Sequence, residues 1–133
     1  MSITCIEMVT DALRLVNVLD MNQVPSAEQG ESARRSLNEM MADWEVDGIR
    51  LGWLPANVMG DTLALAEENI RGVKYCFACE LAGGYGLEPP QVVAIIARNA
   101  YARFAKIALQ FFECSMDQLP LAEPWGTNAW SNG

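Results

Sequence analysis

The sequence contains no histidine among its 133 residues. Histidine is the side chain most often used as a general base and as a metal ligand, and nucleophilic Ser-His and Cys-His pairs depend on it. Its absence excludes enzymes built on those pairs and zinc sites that use histidine. A chain of this length predicts one domain with a substantial core, and we expect neither a cofactor nor a metal ion.

Cysteine is also sparse, with only Cys5, Cys76, Cys79 and Cys114. Cys76 and Cys79 have the spacing of a redox or metal-binding pair, but they lie inside a predicted helix and no second pair stands nearby. We interpret them as small buried hydrophobic residues. The glycine-rich segment 83–86 is not a phosphate-binding loop, because it follows a helix and no Lys-Ser or Lys-Thr pair comes after it.

Long hydrophobic runs and an excess of basic residues are both missing. Charged residues interrupt segment 1–20, so we expect no signal peptide, and no segment reaches the roughly 18 apolar residues of a membrane span. The 17 acidic residues outnumber nine Lys and Arg residues, giving a net charge of −8 and a pI near 4.4. This balance disfavours tight binding to the outside of duplex DNA. The missing signal peptide and the missing membrane span lead us to expect a cytoplasmic origin and no membrane partner.

The stretch from residue 26 to residue 54 carries the clearest structural pattern. Ser26 and Gln29 have the spacing of a capping box, which predicts that a helix starts there. Gly48 is predicted to end it, because glycine readily adopts the positive φ found at helix ends. Apolar residues at helical spacing predict the buried face, namely Ala33, Leu37, Met40, Met41 and Trp44.

Three further helices are predicted over residues 4–19, 65–82 and 91–112, with Asp61 or Thr62 capping the second of these. In the helix predicted over residues 4–19, Ile6 is one of the apolar residues expected to face the core. The last is the longest and most apolar, so we place it at the centre; its apolar residues are Val92, Ile95, Ile96, Ala100, Phe104, Ile107 and Phe111. The predicted fold class is all-α, a small antiparallel bundle of about four helices over residues 1–112, followed by an extended C-terminal arm over residues 113–133.

The arm has two prolines and no helical periodicity, yet it is rich in large apolar residues. Isolated apolar anchors in an extended segment are typical of a chain that docks on a partner. The alternative is that the arm folds back over its own bundle. The candidate anchors are Leu119, Leu121, Trp125 and Trp130.

Charge is distributed unevenly between the predicted helices. Glu39, Asp43 and Asp47 follow one another at four-residue spacing, whereas Arg98, Arg103 and Lys106 lie in a segment without acidic residues. Opposite charges on two sides of one molecule favour head-to-tail association of copies. The alternative is that the two sets neutralise each other within a monomer. The three carboxylates could also line a channel that repels DNA phosphates.

Three segments resemble the head-to-tail adaptor proteins of short-tailed bacteriophages, also called tail accessory factors or head-completion proteins. They are the opening helix over residues 6–19, segment 32–49 with its Leu-Asn-Glu-Met-Met-Ala-Asp-Trp core, and segment 75–86. The last reads Tyr-Cys-Phe-Ala-Cys-Glu-Leu-Ala-Gly-Gly-Tyr-Gly and precedes prolines and a long alanine-rich helix. Their order and spacing within residues 3–107 make the resemblance specific.

The resemblance implies a structural virion protein and not an enzyme. Copies would form a ring, typically of twelve, that binds beneath the portal protein at the neck, between head and tail. The ring would close the DNA-filled head and provide a platform for a tail or nozzle protein, close to packaged DNA. It also implies a C-terminal arm that reaches along the portal, and assembly in the host cytoplasm.

Two other functions remain open from the residues alone. One is a small cytoplasmic helical regulator that binds a single partner through its C-terminal tail. The other is a cell-wall hydrolase that uses the carboxylates Glu39, Asp43 and Asp47, since paired carboxylates can share a catalytic site.

Overall fold

Four helices make up the fold in the computed structural model, which describes the backbone of residues 2–117 and the side chains of residues 2–110. They are α1 (Cys5–Leu15), α2 (Ala27–Val46), α3 (Glu67–Gly84) and α4 (Gln91–Asp117). Between them the described residues form no strand, only an isolated antiparallel bridge between Thr4 and Thr62. The predicted all-α fold class is confirmed.

Capping boxes define where the first two helices start. The Gln29 backbone N–H donates to Ser26 Oγ at 3.1 Å, and the Ser26 N–H donates to Gln29 Oε1 at 3.0 Å. This confirms the cap predicted for α2. Thr4 and Glu7 form an equivalent box at the start of α1, where satisfied N–H groups hold the first turn in place.

The predicted end of α2 holds, whereas the ends of α1 and α4 differ from those predicted. Gly48 has a φ of 91° just after α2, as predicted. In contrast, α1 ends at Leu15 and not at residue 19, because Asn17 has a left-handed φ of 64° that a helix cannot contain. The long helix α4 continues through residues 113–117, beyond its predicted end at Phe112.

The segment between α2 and α3 is irregular but firmly attached. The backbone N–H groups of Cys5 and Ile6 donate to the carbonyls of Asp61 and Met59, both at 2.9 Å. Asp61 Oδ2 accepts hydrogen bonds from the N–H groups of Asn57 and Val58. Asp61 therefore orders a turn within the segment, and the prediction that it or Thr62 caps α3 is wrong. The cap residue of α3 is Ala66, which makes no side-chain hydrogen bond.

The prediction that α4 lies at the centre is wrong, because α3 is the helix that packs against the other three. Helix α3 can be approached closely since its packing face has small residues. A Cβ at Gly72 would stand only 2.7 Å from Phe104 Cζ. Helix α4 buries a single stripe, and several of the apolar residues that led us to place it at the centre are exposed, namely Val92, Ile95 and Ile107. Ile6 of α1, also predicted to be buried, is 38% exposed.

Trp44 connects α2 to α4 at the edge of this core. Its ring lies 5.5 Å from the Tyr101 ring in an edge-on geometry and 5.7 Å from the Phe104 ring. Tyr101 in turn donates a hydrogen bond from its hydroxyl to Asp47 Oδ2 at 3.3 Å. These contacts fix the position of α4 relative to the end of α2.

Candidate interaction surfaces

The outer face of α2 is acidic. Glu39 and Asp43 are exposed on it, and Ala42 and Val46 are exposed beside them. Val46 has 85% of its surface accessible. The opposite face of α2 is buried through Leu37, Met40, Met41 and Trp44, so the acidic face points away from the core.

The structure separates Asp47 from the other two predicted carboxylates. Asp47 is the C-cap residue of α2 and accepts the hydroxyl hydrogen bond of Tyr101 on α4. Within the described residues, no cluster of three Cys, Asp or Glu side chains is arranged to hold a metal ion. The three carboxylates are thus not gathered into one site.

The basic residues of α4 are exposed and make no ion pair with any described side chain. Arg98 and Lys106 are both exposed, and the Arg103 guanidinium lies over the Phe104 ring at 5.3 Å. The ion pairs between described side chains join Glu31 with its two neighbouring arginines, and Lys74 with Asp11 at 2.9 Å. Helix α4 therefore offers basic side chains to an outside partner.

Helix α4 also exposes several large apolar residues. Val92, Ile95, Ile107 and Leu109 have between 45% and 67% of their surface accessible. Exposed apolar groups next to unpaired charges are common at protein–protein contact surfaces. This surface was not predicted, because the sequence led us to place α4 at the centre of the bundle.

A groove of about 660 Å³ lies between α1 and α3. Charges of both signs line it, including Asp11 paired with Lys74 and Arg71 stacked over the Tyr75 ring at 5.0 Å. Because these charges are matched within the groove, it presents no concentrated field for an anion or a cation.

A second groove, of about 520 Å³, follows the end of α2. It is lined by Ala42, Glu45, Val46, Arg50, Gly52 and Trp53. The Trp53 indole N–H is buried here and has no hydrogen-bond partner among the described residues. The segment after Gly48 is apolar in sequence, with Ile49, Leu51, Trp53 and Leu54, but the groove depends on how that segment packs against the end of α2.

The three cysteines whose side chains the structure describes, Cys5, Cys76 and Cys79, lack the environment of reactive thiols. Burial raises the pKa of Cys5 from 9.0 to about 11 and that of Cys76 to about 12, and it also raises the pKa of Cys79. Cys76 Sγ donates to the Ala97 carbonyl at 3.3 Å. A raised pKa keeps the thiol protonated and unreactive, which supports a packing role for Cys76 and Cys79.

The predicted arm contacts Leu119, Leu121, Trp125 and Trp130 lie outside the described residues. No helix in the described part of the chain is long and apolar enough to cross a membrane.

Comparison with protein families gives a match that spans all four helices. The family model of the P22 tail accessory factor matches residues 2–118, which include all four helices. A search of curated proteins finds no match.

Proposed function

The chain belongs to the P22 tail accessory factor family, whose members are structural proteins of phages, and we propose that it is a head-to-tail adaptor. Copies of the chain form a ring beneath the portal protein. The ring closes the DNA-filled head and provides the platform on which the tail or nozzle protein attaches. The observation that carries this proposal is the family match over residues 2–118, which confirms the resemblance visible in the sequence.

The surface charge of the fold supports a ring around a passage for DNA. The net charge of −8 disfavours tight binding of phosphates, so DNA can pass without being retained. The two charged faces, acidic on α2 and basic on α4, lie on different helices. A subunit with two different contact faces forms a closed ring when its rotation closes, and we propose twelve copies.

The C-terminal arm supplies the portal contact in this proposal. Its anchors Leu119, Leu121, Trp125 and Trp130 follow both α4 and the family match in the sequence, and their apolar character suits contact with another protein. Binding to the portal holds neighbouring copies at high effective concentration, which strengthens weak contacts between them. Assembly therefore occurs on the portal, during virion formation in the host cytoplasm, and leaves the protein at the neck of the virion.

Retention of packaged DNA tests this function directly. DNA-filled heads of the same phage, produced without this protein, should become resistant to nuclease when the purified chain is added, because the ring closes the portal channel. The measurement is the fraction of packaged DNA that survives digestion, compared with heads to which no protein is added. Unchanged nuclease sensitivity, despite bound protein, would contradict the adaptor function.

A further inference from the structure

We propose that the exposed face of α4 in one copy packs on the acidic outer face of α2 in the next copy. This inference rests on the proposed ring and identifies the surfaces that hold it together. Its occupant is a second copy of this chain, because each copy carries both of the complementary faces.

The exposed face of α4 combines apolar and basic residues in a regular arrangement. Ile95, Ala102 and Leu109 are exposed and seven residues apart, so they lie on one side of the helix at intervals of about two turns. Arg98 and Lys106 flank this row at helical spacing. The opposite side of α4 is the buried stripe of Val93, Ala97, Ala100 and Phe104.

The face of α2 has the complementary chemistry. Glu39 and Asp43 are one helical turn apart, and Val46, at 85% exposure, continues the same side of the helix. The row therefore pairs two carboxylates with an exposed apolar side chain. The α4 face contains two cations and three apolar side chains. Its cations can therefore meet the carboxylates of α2 while its apolar side chains contact Val46.

The α2 face and the α4 face can contact each other between copies, but they do not do so within one copy. Each of the two faces lies opposite the buried side of its own helix, and no described ion pair joins Glu39 or Asp43 to Arg98 or Lys106. Because the contact joins two different patches, it is heterologous. A pair of copies therefore leaves the α2 face of one copy and the α4 face of the other free for further copies. Such a contact propagates around a ring.

Zero-length cross-linking tests the contact, because Lys74 and Lys106 are the lysines of the chain. Lys74 is engaged with Asp11 and its side chain is 23% exposed, whereas Lys106 is exposed on α4. A 1:1 mixture of unlabelled and ¹⁵N-labelled chain is treated with a carbodiimide, both alone at raised concentration and with the portal protein. The expected product is a mixed-isotope peptide pair in which the Lys106 amine forms an amide with Glu39 or Asp43.

The matched control is Lys106→Arg, which keeps the charge but removes the amine. It should lose this cross-link and still assemble on the portal like the unchanged protein. Absence of a mixed-isotope pair in the assembled wild-type protein, or pairs only to carboxylates on other helices, would overturn the proposed contact. Lys106 cross-links that join only peptides of the same isotope would also overturn it, because such cross-links form within one copy.

Charge exchange provides a second, independent test. The variants Arg98→Glu/Lys106→Glu and Glu39→Arg/Asp43→Arg each place like charges across the contact, so each alone should reduce association between copies about tenfold or more. Mixed in equal amounts, the two variants restore both contacts and should assemble in alternation. Sedimentation and the number of copies bound per portal measure this. Unreduced association of the single-face variants, or no recovery on mixing, would contradict the contact.

The outcomes separate this inference from the function on which it rests. A Lys106 pair between copies without portal binding would support the contact and reject the adaptor function. Portal binding without this Lys106 cross-link would support the adaptor function and reject the contact. Duplex DNA bound through Arg98 and Lys106, with no contact between copies, would assign the α4 face to nucleic acid and overturn the inference.

Discussion

Removal of residues 118–133 is expected to abolish binding to the portal protein and to leave the helix content unchanged. Helix α4 ends at Asp117, so the truncation retains all four helices while removing every predicted arm anchor. Tryptophan is among the residues that most often contribute a large share of the binding free energy at protein contacts, and the truncation removes Trp125 and Trp130. The binding constant of the truncated chain for the portal, and its circular dichroism spectrum, measure the two expectations.

Point variants in the arm refine this test without shortening the chain. Trp125→Ala and Trp130→Ala should each weaken portal binding by about tenfold or more, as expected for central aromatic contacts. The polar change Ser131→Ala, next to Trp130, is the matched control and should have little effect. Undiminished portal binding by the truncated chain would show that the arm is not the contact.

Replacement of Trp44 by alanine should destabilise the bundle more than any surface change. Trp44 is 6% exposed, and its ring contacts both Tyr101 and Phe104 of α4. Truncation of a buried tryptophan costs about 3–5 kcal/mol, out of a typical stability of about 5–15 kcal/mol for a domain. We expect the midpoint of urea unfolding to fall by a corresponding amount, and α4 to lose its fixed position against α2.

Two matched variants separate the causes of this loss. Trp44→Phe keeps an aromatic ring at the position and should recover most of the stability. Tyr101→Phe removes only the exposed hydroxyl hydrogen bond to Asp47 and should cost less than about 1 kcal/mol. An unfolding free energy for Trp44→Ala within about 1 kcal/mol of the unchanged protein would mean that the Trp44 contact does not hold α4 in place.

The sequence was sufficient to predict features that depend on neighbouring residues along the chain. The Ser26–Gln29 capping box and the glycine at the end of α2 follow from spacing alone. The buried face of α2 follows from helical periodicity, since Leu37, Met41 and Trp44 are all buried as predicted.

Features that depend on how helices are arranged were not predictable in the same way. Apolar residues lie on nearly every side of α4, so periodicity could not show which side is buried or that α3 takes the centre. The arrangement depends instead on close approach at Gly72, where a larger residue would collide with Phe104. Likewise, Asp61 has the sequence context of a helix cap, but its carboxylate is used by the turn that precedes it.

The candidate contact surfaces were only partly visible in the sequence. The acidic and basic residues were identified from charge alone, and the structure adds that Glu39 and Asp43 share an exposed face whereas Asp47 contacts α4. Val46 was missed as a surface residue, because an isolated valine at the end of a helix gives no signal of its exposure. The family was recognisable because three segments kept their order and spacing, and the match over residues 2–118 confirms it.

Native mass spectrometry of the purified chain, alone and mixed with the portal protein of the same phage, tests the central claim most directly. The adaptor function predicts a chain that is largely monomeric alone and that forms a ring of defined copy number, twelve in our proposal, when the portal is present. A chain that remains monomeric and does not bind the portal would contradict the proposed function.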